Sequence, residues 1–313
     1  MSHPSSEPAE SRTAVQISNL SFSYGRTPAV VGFKWDLPSG CVAAIYGPSG
    51  AGKSTLLALL AGALPRESGT VTIWGHDPAA STGRQHLGYV PQTGGLYPGY
   101  TVEENLRTFA IGSGPHGSIG ATIARTLEPF FLPPRRATLV DEAIERTLGQ
   151  IQLSARRDEV VGSLSAGLQA RVSLGVALLW DPHVLLLDDP LALSDDQWAA
   201  QAWTIFRERA QRGRTVLLAT GRAKDALQAD HVALMRAGRL LRAGRANELA
   251  PAGKASVALK YLQKTGPIVE DVEVSDLATE LPGILERKPN LKPVEVQIRQ
   301  DAPELRLAAL LDA

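Results

Sequence analysis

Nine consecutive residues carry the strongest chemical signal in the chain: Gly47, Pro48, Ser49, Gly50, Ala51, Gly52, Lys53, Ser54 and Thr55. They fit the pattern G-x-x-x-x-G-K-[ST] at every fixed position. An apolar run from Cys41 to Tyr46 precedes them, and a helix-like run from Thr55 to Ala61 follows. In that strand–loop–helix setting the glycines let the backbone curl, so that successive N–H groups point at phosphate oxygens. The helix N-terminus adds partial positive charge and free N–H donors. Lys53 is then expected to reach the β- and γ-phosphates of a nucleotide, and the Ser54 hydroxyl to ligate Mg²⁺. The bland alternative is a Gly-rich turn that only links a strand to a helix, and the agreement of pattern and flanks argues against it.

Three other places hold residues suited to the same chemistry. Asp188 and Asp189 end the apolar run Val184 to Leu187, which reads as a buried parallel strand. Carboxylates there fall where α/β sheets bind ligands, at the C-terminal ends of the strands. Leu164-Ser165-Ala166-Gly167 precedes a helical run from Leu168 to Trp180. A serine followed by small residues at a helix N-terminus is a second anion-receiving element. Tyr24 follows Phe22 and Ser23. It could stack on a base, although the residues alone favour a half-buried strand tyrosine.

The elements that must position these groups alternate strand with helix. Residues 15–24 and 29–37 have the spacing of an antiparallel hairpin around Gly25 to Pro28. Residues 70–74 and 87–90 are short strands, with a turn at 65–69 and Gln92 just after the second. Thr101 to Glu104 spells a capping box that opens a helix to about Ile111. Residues 112–138, rich in Gly, Pro and Ser, read as an insertion, and periodicity resumes from Val140 to Leu148. Trp198, Ala202, Ile205 and Phe206 form a helix face that Gly213 ends. A strand at 215–220, a short helix at 223–228 and a hairpin around Gly238 complete the α/β pattern, which implies a largely parallel sheet. Beyond Ala250 the texture changes. Extended stretches at 268–274 and 294–298 and helical ones at 276–287 and 302–311 suggest a small β-α-β-α appendage.

Composition narrows the class. The 313 residues can bury a sizeable core, and 32 basic residues balance 32 acidic ones. That balance gives no electrostatic argument for nucleic acid or an anionic membrane. The single cysteine, Cys41, excludes a disulfide framework and reads as a small core residue. No apolar run approaches the roughly 20 residues that span a bilayer. Residues 1–13 lack the apolar centre of a signal peptide and read as a disordered lead-in.

With these motifs in order, residues 14–245 resemble the ATP-binding subunit of an ABC transporter. The resemblance implies an α/β P-loop NTPase of ABC type, with an antiparallel β subdomain and a helical subdomain at about residues 93–180. The ATP-binding domain would run from 14 to 248, with a small α+β appendage at 249–313. It also implies roles. Tyr24 would stack on adenine, and Gly47 to Thr55 is the Walker A loop. Gln92 would touch Mg²⁺ and the attacking water. Asp188 is the Walker B aspartate, Ser165 and Gly167 belong to the signature that completes a partner subunit's ATP site, and Asp195 belongs to the dimer-communication loop.

Three departures from the family pattern bear on chemistry. Asp189 replaces the usual glutamate that polarises water, and a general base must sit within about 2.6–3.2 Å of its proton or act through one water. Gly221 follows Thr220 where a switch histidine is expected. The signature reads Leu-Ser-Ala-Gly-Leu, so Leu168 replaces a glutamine, although Ser165, Gly167 and the basic Arg171 remain. Binding of ATP and Mg²⁺ is expected to persist while hydrolysis slows. One weak site with a serviceable signature suggests a second ATP-binding subunit, as a heterodimer in preference to a homodimer. Separate transmembrane permease subunits would hold the chain on the cytoplasmic face of the cell membrane. Two functions fit: an exporter-type energy-coupling subunit, or a non-hydrolytic ATP-dependent clamp of a membrane complex. Nucleic acid is not among the expected partners.

Overall fold

The computed structural model describes residues 13–112, 134–250, 255–263, 266–274, 295–300 and 303–311. The expected lead-in at residues 1–12, the body of the insertion at 113–133 and the expected helix at 276–287 lie outside the described residues. Two compact units divide the chain, the second beginning at Gly244.

The first unit opens with β1 (Thr13–Tyr24) and β2 (Thr27–Pro38), an antiparallel pair that turns at Gly25 with φ of 60°. Val15 and Ile17, then Leu20 and Phe22, are buried; the period of two changes phase between Ile17 and Leu20, where the pairing shifts register and Asn19 has φ of 50°. The chain then enters β3 (Val42–Tyr46), every residue of which is buried, and α1 (Lys53–Leu60). β4 (Ser68–Ile73) pairs with the free edge of β1, giving a three-stranded sheet of order β2-β1-β4. β4 starts at Ser68, inside the stretch expected to be a turn, because its first residues pair with β1 through Ser21.

The second sheet carries the candidate chemistry. Its order is β5 (Leu87–Val90), β6 (Val184–Asp188), β7 (Thr215–Thr220), β3, β8 (His231–Arg236) and β9 (Arg239–Arg245). β5, β6, β7, β3 and β8 are parallel. β6 and β7 are buried throughout, which explains their unbroken apolar runs. β8 and β9 meet at Ala237 and Gly238, with φ of 50° and 78°, the paired positive values of a tight hairpin turn. The register sets Tyr46 beside Thr220 and Asp188 beside Ala219, so the C-terminal ends of β3, β6 and β7 converge.

Helices cover this sheet and form a lobe beside it. A short α2 (Ser81–Arg84) precedes β5. In the lobe, α3 (Val102–Gly112), α4 (Pro134–Gln150) and α5 (Ala166–Leu178) pack on one another. The capping box of α3 closes both ways. Thr101 N–H donates to Glu104 Oε2 at 2.8 Å, and Glu104 N–H donates to Thr101 Oγ1 at 3.1 Å. Gly175 of α5 lets α4 approach, since a Cβ there would sit 2.8 Å from Ile151 Cδ1. α4 corrects the insertion's far boundary. Residues 134–138 are helical, and Pro134 at the first helical position is where proline fits best. α6 (Asp196–Gln211) buries Trp198, Ala202, Ile205 and Phe206, and α7 (Ala223–Leu227) follows β7. Cys41 is buried with Sγ donating to Pro38 O at 3.2 Å, and burial pushes its thiol up to about 12.

The second unit contains α8 (Ala246–Leu249), β10 (Ala255–Gln263), β11 (Gly266–Val274), β12 (Glu295–Gln300) and α9 (Pro303–Ala309). Its sheet has the order β11-β10-β12, antiparallel on both sides. The expected β-α-β-α order is therefore incomplete, because it lacked β10, the central strand. Ala255, Ala258, Leu259, Lys260 and Leu262 give that segment little strand propensity of its own, and pairing on both edges decides its conformation.

A histidine cluster sits where the two sheets of the first unit meet. His86 and His183 precede β5 and β6, and their Nδ1 atoms are 3.1 Å apart. His76 stacks on His86 with ring centroids 5.0 Å apart, and Trp74 meets His183 edge-on at 4.7 Å. Burial lowers the proton affinity of His86 and His183. Arg214 lowers both further, His76 and Arg209 add to this, and Asp181 opposes it at His183. A depressed histidine costs stability when the unfolded chain takes up protons first. Stability is thus expected to fall as pH drops below about 6.5, the unfolded value. Thermal unfolding at pH 7.5 and 5.5 checks this, and His183→Gln is expected to shrink the difference.

Candidate functional site

The phosphate-loop residues are held by close backbone contacts that only glycine allows. A Cβ on Gly47 would lie 2.1 Å from Met235 O, so β8 presses directly on the start of the loop. Gly52 has φ of 97°, and a Cβ there would lie 2.1 Å from Ala29 O. Gly238 N–H donates to Ala51 O at 2.9 Å, and Ala51 N–H to Pro48 O at 3.2 Å. Pro48, Ser49, Gly50 and Ser54 are exposed, while Ala51 is buried. The Lys53 ammonium donates to Gly47 O at 2.8 Å and to Pro48 O at 2.9 Å. Thr55 continues α1 one residue beyond Ser54.

The carboxylates arrive from β6. Asp188 is buried, with the Ser54 hydroxyl and the Gln92 N–H near enough to favour its charged form. Burial raises its proton affinity, and Ser54, Lys53 and Gln92 pull it back. Asp189 is half-buried, with φ of 50°, and its N–H donates to Ala219 O at 3.0 Å. Burial raises its proton affinity too. Arg222 and Lys53 oppose the rise, whereas Asp188 and Asp225 add to it. Lys53 shows the converse: burial lowers its proton affinity, and Asp189 and Asp188 partly restore it. The chain thus brings Ser54, Lys53, Asp188, Asp189 and the Gln92 main chain to one place, at the end of the parallel sheet.

Tyr24 lies at the end of β1 and is 55% exposed, with Phe22 edge-on at 4.9 Å. It is not the half-buried strand tyrosine that the sequence allowed, because β1 ends there in an open turn. Tyr89 of β5 lies within electrostatic reach of Asp188 and Tyr24, and burial followed by those two groups pushes it up to about 12.

Ser165 and Gly167 belong to a different neighbourhood. Ser165 caps α5, its Oγ accepting from Leu168 N–H at 3.4 Å. Gly167 lets the helix start approach the loop before α6, since a Cβ there would sit 2.8 Å from Leu193 O. Arg171 spans the same gap, 3.4 Å from Asp195 Oδ2 and 4.4 Å over the Trp198 ring. Asp195 in turn caps α6 through Trp198 N–H at 2.7 Å. α1 packs on β2, β6 and β7, while α5 packs on α3, α4 and β5.

Two residues near the carboxylate cluster, Arg222 and Asp225, belong to none of the motifs named above. Arg222 donates from Nε to Asp225 Oδ2 at 2.6 Å, and its N–H donates to Thr220 Oγ1 at 3.0 Å. An arginine and an aspartate three residues apart, just past a strand end, were a readable clue. Gly221 lies alongside the loop. A Cβ there would find only Gly47 O, at 3.8 Å.

The residues fit a magnesium nucleotide. The Ser54 hydroxyl and the Asp188 carboxylate, near enough to influence one another, are hard oxygen donors. Mg²⁺ takes few protein ligands and relies on phosphates and water for the rest. Among the described residues no three His, Cys, Asp or Glu side chains converge as a protein-only metal cage.

A glycine loop between a buried strand and a helix, with a carboxylate at the end of a nearby parallel strand, defines a P-loop nucleotide-binding α/β protein. A model of the ABC transporter family matches residues 30–192, and the chain belongs to that family. It is 31% identical over 278 residues to the "Probable multidrug ABC transporter ATP-binding protein YbhF" of Escherichia coli, covering 88% of this chain and 44% of that one. The chain thus spans less than half the length of that relative. It is 30% identical over 275 residues to the Nod factor export ATP-binding protein I of Paraburkholderia xenovorans, covering 84% and 83%. An Fe(3+) ions import ATP-binding protein of Rhodococcus jostii is 34% identical over 242 residues, covering 75% and 63%. The fold is similar to that of a solved ATP-binding subunit of an ABC transporter, with TM-score 0.64, 23% identity and coverage of 76% and 92%. Among the described residues no helix is long and apolar enough to cross a membrane.

Proposed function

We propose that this chain binds ATP with Mg²⁺ at residues 47–55 and couples that binding, with slow hydrolysis, to movement of separate membrane permease subunits. The observation that carries it is the glycine loop itself, closed by Lys53 donating to Gly47 O and Pro48 O and pressed on by β8 at Gly47, with Asp188 within electrostatic reach of Lys53. In this reading loop N–H groups and Lys53 hold phosphates, Tyr24 stacks on the base, and Ser54, Asp188 and Gln92 hold Mg²⁺. Bound Mg²⁺ supplies charge neutralisation to the phosphates. Asp189, at the end of β6, orients the water and accepts its proton.

Ser165 and Gly167 then serve a second ATP-binding subunit. Both lie on the α5 start that faces the Asp195 loop, away from residues packed on α1. A heterodimer follows from the asymmetry of the chain, since a homodimer would repeat the Asp189 and Gly221 departures in both sites. One relative is named for export and one for import; the export relative is covered more fully, 83% of its length against 63%, so export is the preferred direction. The cytoplasmic face of the membrane is the location this requires.

A second reading, a clamp that closes on ATP without turnover, is favoured by Gly221, where no side chain reaches the loop. One titration tests the binding reading that both share. Purified chain is expected to bind about one ATP, more weakly when Mg²⁺ is chelated. Absence of ATP binding at millimolar nucleotide would sink both readings.

A further inference from the structure

A bound triphosphate adds negative charge to a site that already holds the carboxyl groups of Asp188, which is buried, and Asp189, which is half-buried. Lys53 is one cation for that phosphate, and its reach is shared with two loop carbonyls. The structure supplies another from an unexpected position. The backbone leaving β7 passes the loop, with Gly47 N–H donating to Thr220 O at 3.4 Å. Gly221 leaves open space beside Gly47 O. Arg222 follows at once. Its main chain is pinned by Thr220 Oγ1 at 3.0 Å, and its guanidinium is tethered by Asp225 at 2.6 Å.

That tether is one-sided. Asp225 is a firm anchor, its side chain only 6% exposed, whereas the Arg222 side chain is 45% exposed. The bond uses Nε, one of five guanidinium N–H donors, so the four donors on the Nη nitrogens remain to bind an anion. The charge of Arg222 is already felt at Asp189.

We propose that Arg222 is a ligand for the terminal phosphate of the bound nucleotide, swinging about its Asp225 anchor into the space that Gly221 leaves beside the phosphate loop. Resting on the nucleotide reading above, this makes Arg222 the group that distinguishes triphosphate from diphosphate. Arginine suits the task because its planar fork donates two parallel bonds to phosphate oxygens.

The test compares equilibrium affinities for a non-hydrolysable ATP analogue and for ADP, both with Mg²⁺, in wild type, Arg222→Ala and Arg222→Lys. Loss of a charge-assisted contact is expected to weaken the triphosphate analogue about 10- to 100-fold in Arg222→Ala. ADP binding should stay within about twofold, which also reports that the variant is folded. Arg222→Lys should recover part of the loss, since it keeps the charge and loses the fork. Wild type binding both nucleotides, with the same affinity ratio in Arg222→Ala, overturns the proposal alone. Wild type binding neither overturns the nucleotide reading, and this proposal with it.

Discussion

Asp189→Glu carrying Gly221→His is expected to hydrolyse ATP in a single turnover about 10²–10³ times faster than wild type. The structure makes both substitutions specific in their effect. At 221 the backbone is not left-handed, and a Cβ would meet only Gly47 O at 3.8 Å, so an imidazole can enter beside the loop without displacing it. At 189 the position is less permissive. Its φ of 50° is a conformation that aspartate tolerates better than glutamate. Asp189→Glu alone should therefore cost about 1 kcal/mol of stability while extending the carboxylate by one methylene. That gain in reach is what a base acting on water needs, because proton transfer requires hydrogen-bond distance. Burial already raises the proton affinity of the carboxyl at 189, which favours a base so long as it remains ionised at neutral pH. The two substitutions act on one water, so their separate effects need not multiply. Wild type already turning over at the doubled variant's rate would mean that Asp189 suffices, and the slow-hydrolysis part of the proposed function would fail.

Much of this site was legible because its parts are local. Residues 47–55 are contiguous, and the same glycines that spell the motif are those with no room for a Cβ. Asp188 could be read because a fully buried strand leaves an apolar run that stops where the ligand face begins. The β1–β2 hairpin and the faces of α6 followed from periodicity alone. What escaped depends on partners distant in sequence. β10 is a strand because β11 and β12 flank it, whereas its Ala, Leu and Lys residues suggest otherwise. The start of α4 at Pro134 was hidden in a Gly- and Pro-rich stretch, although proline at a first helical position is itself a start signal. Arg222 and Asp225 gained meaning only once β6 and β7 set Asp189 beside Ala219. Tyr24 reads from its neighbours as a half-buried strand residue until the turn at Gly25 is seen to leave it open. Ser165 and Gly167 form the start of α5, facing Leu193 and the loop before α6.

Lys53→Met should weaken ATP binding by about 10²–10³-fold, the loss of two charge-assisted phosphate contacts. ADP, which offers one of those contacts, should lose about 10-fold. Methionine keeps the length and apolar stem of the side chain, so the comparison isolates the ammonium. That ammonium does two jobs in the structure. It ties the loop through Gly47 O and Pro48 O, and it offsets the charge of Asp188 and Asp189. Its removal should therefore raise the proton affinity of both carboxyls beyond what burial already does. The same geometry gives a pH dependence whose sign is fixed. Burial lowers the proton affinity of Lys53, so the amine discharges at a lower pH than an ordinary lysine. Only the charged form binds phosphate well, and wild-type ATP affinity is expected to fall with rising pH before about 10.4, the ordinary lysine value. Lys53→Met should lack that alkaline limb while keeping any dependence that comes from the nucleotide itself. An identical alkaline fall in Lys53→Met would assign it elsewhere, and unchanged ATP affinity in that variant would remove Lys53 from the phosphate site.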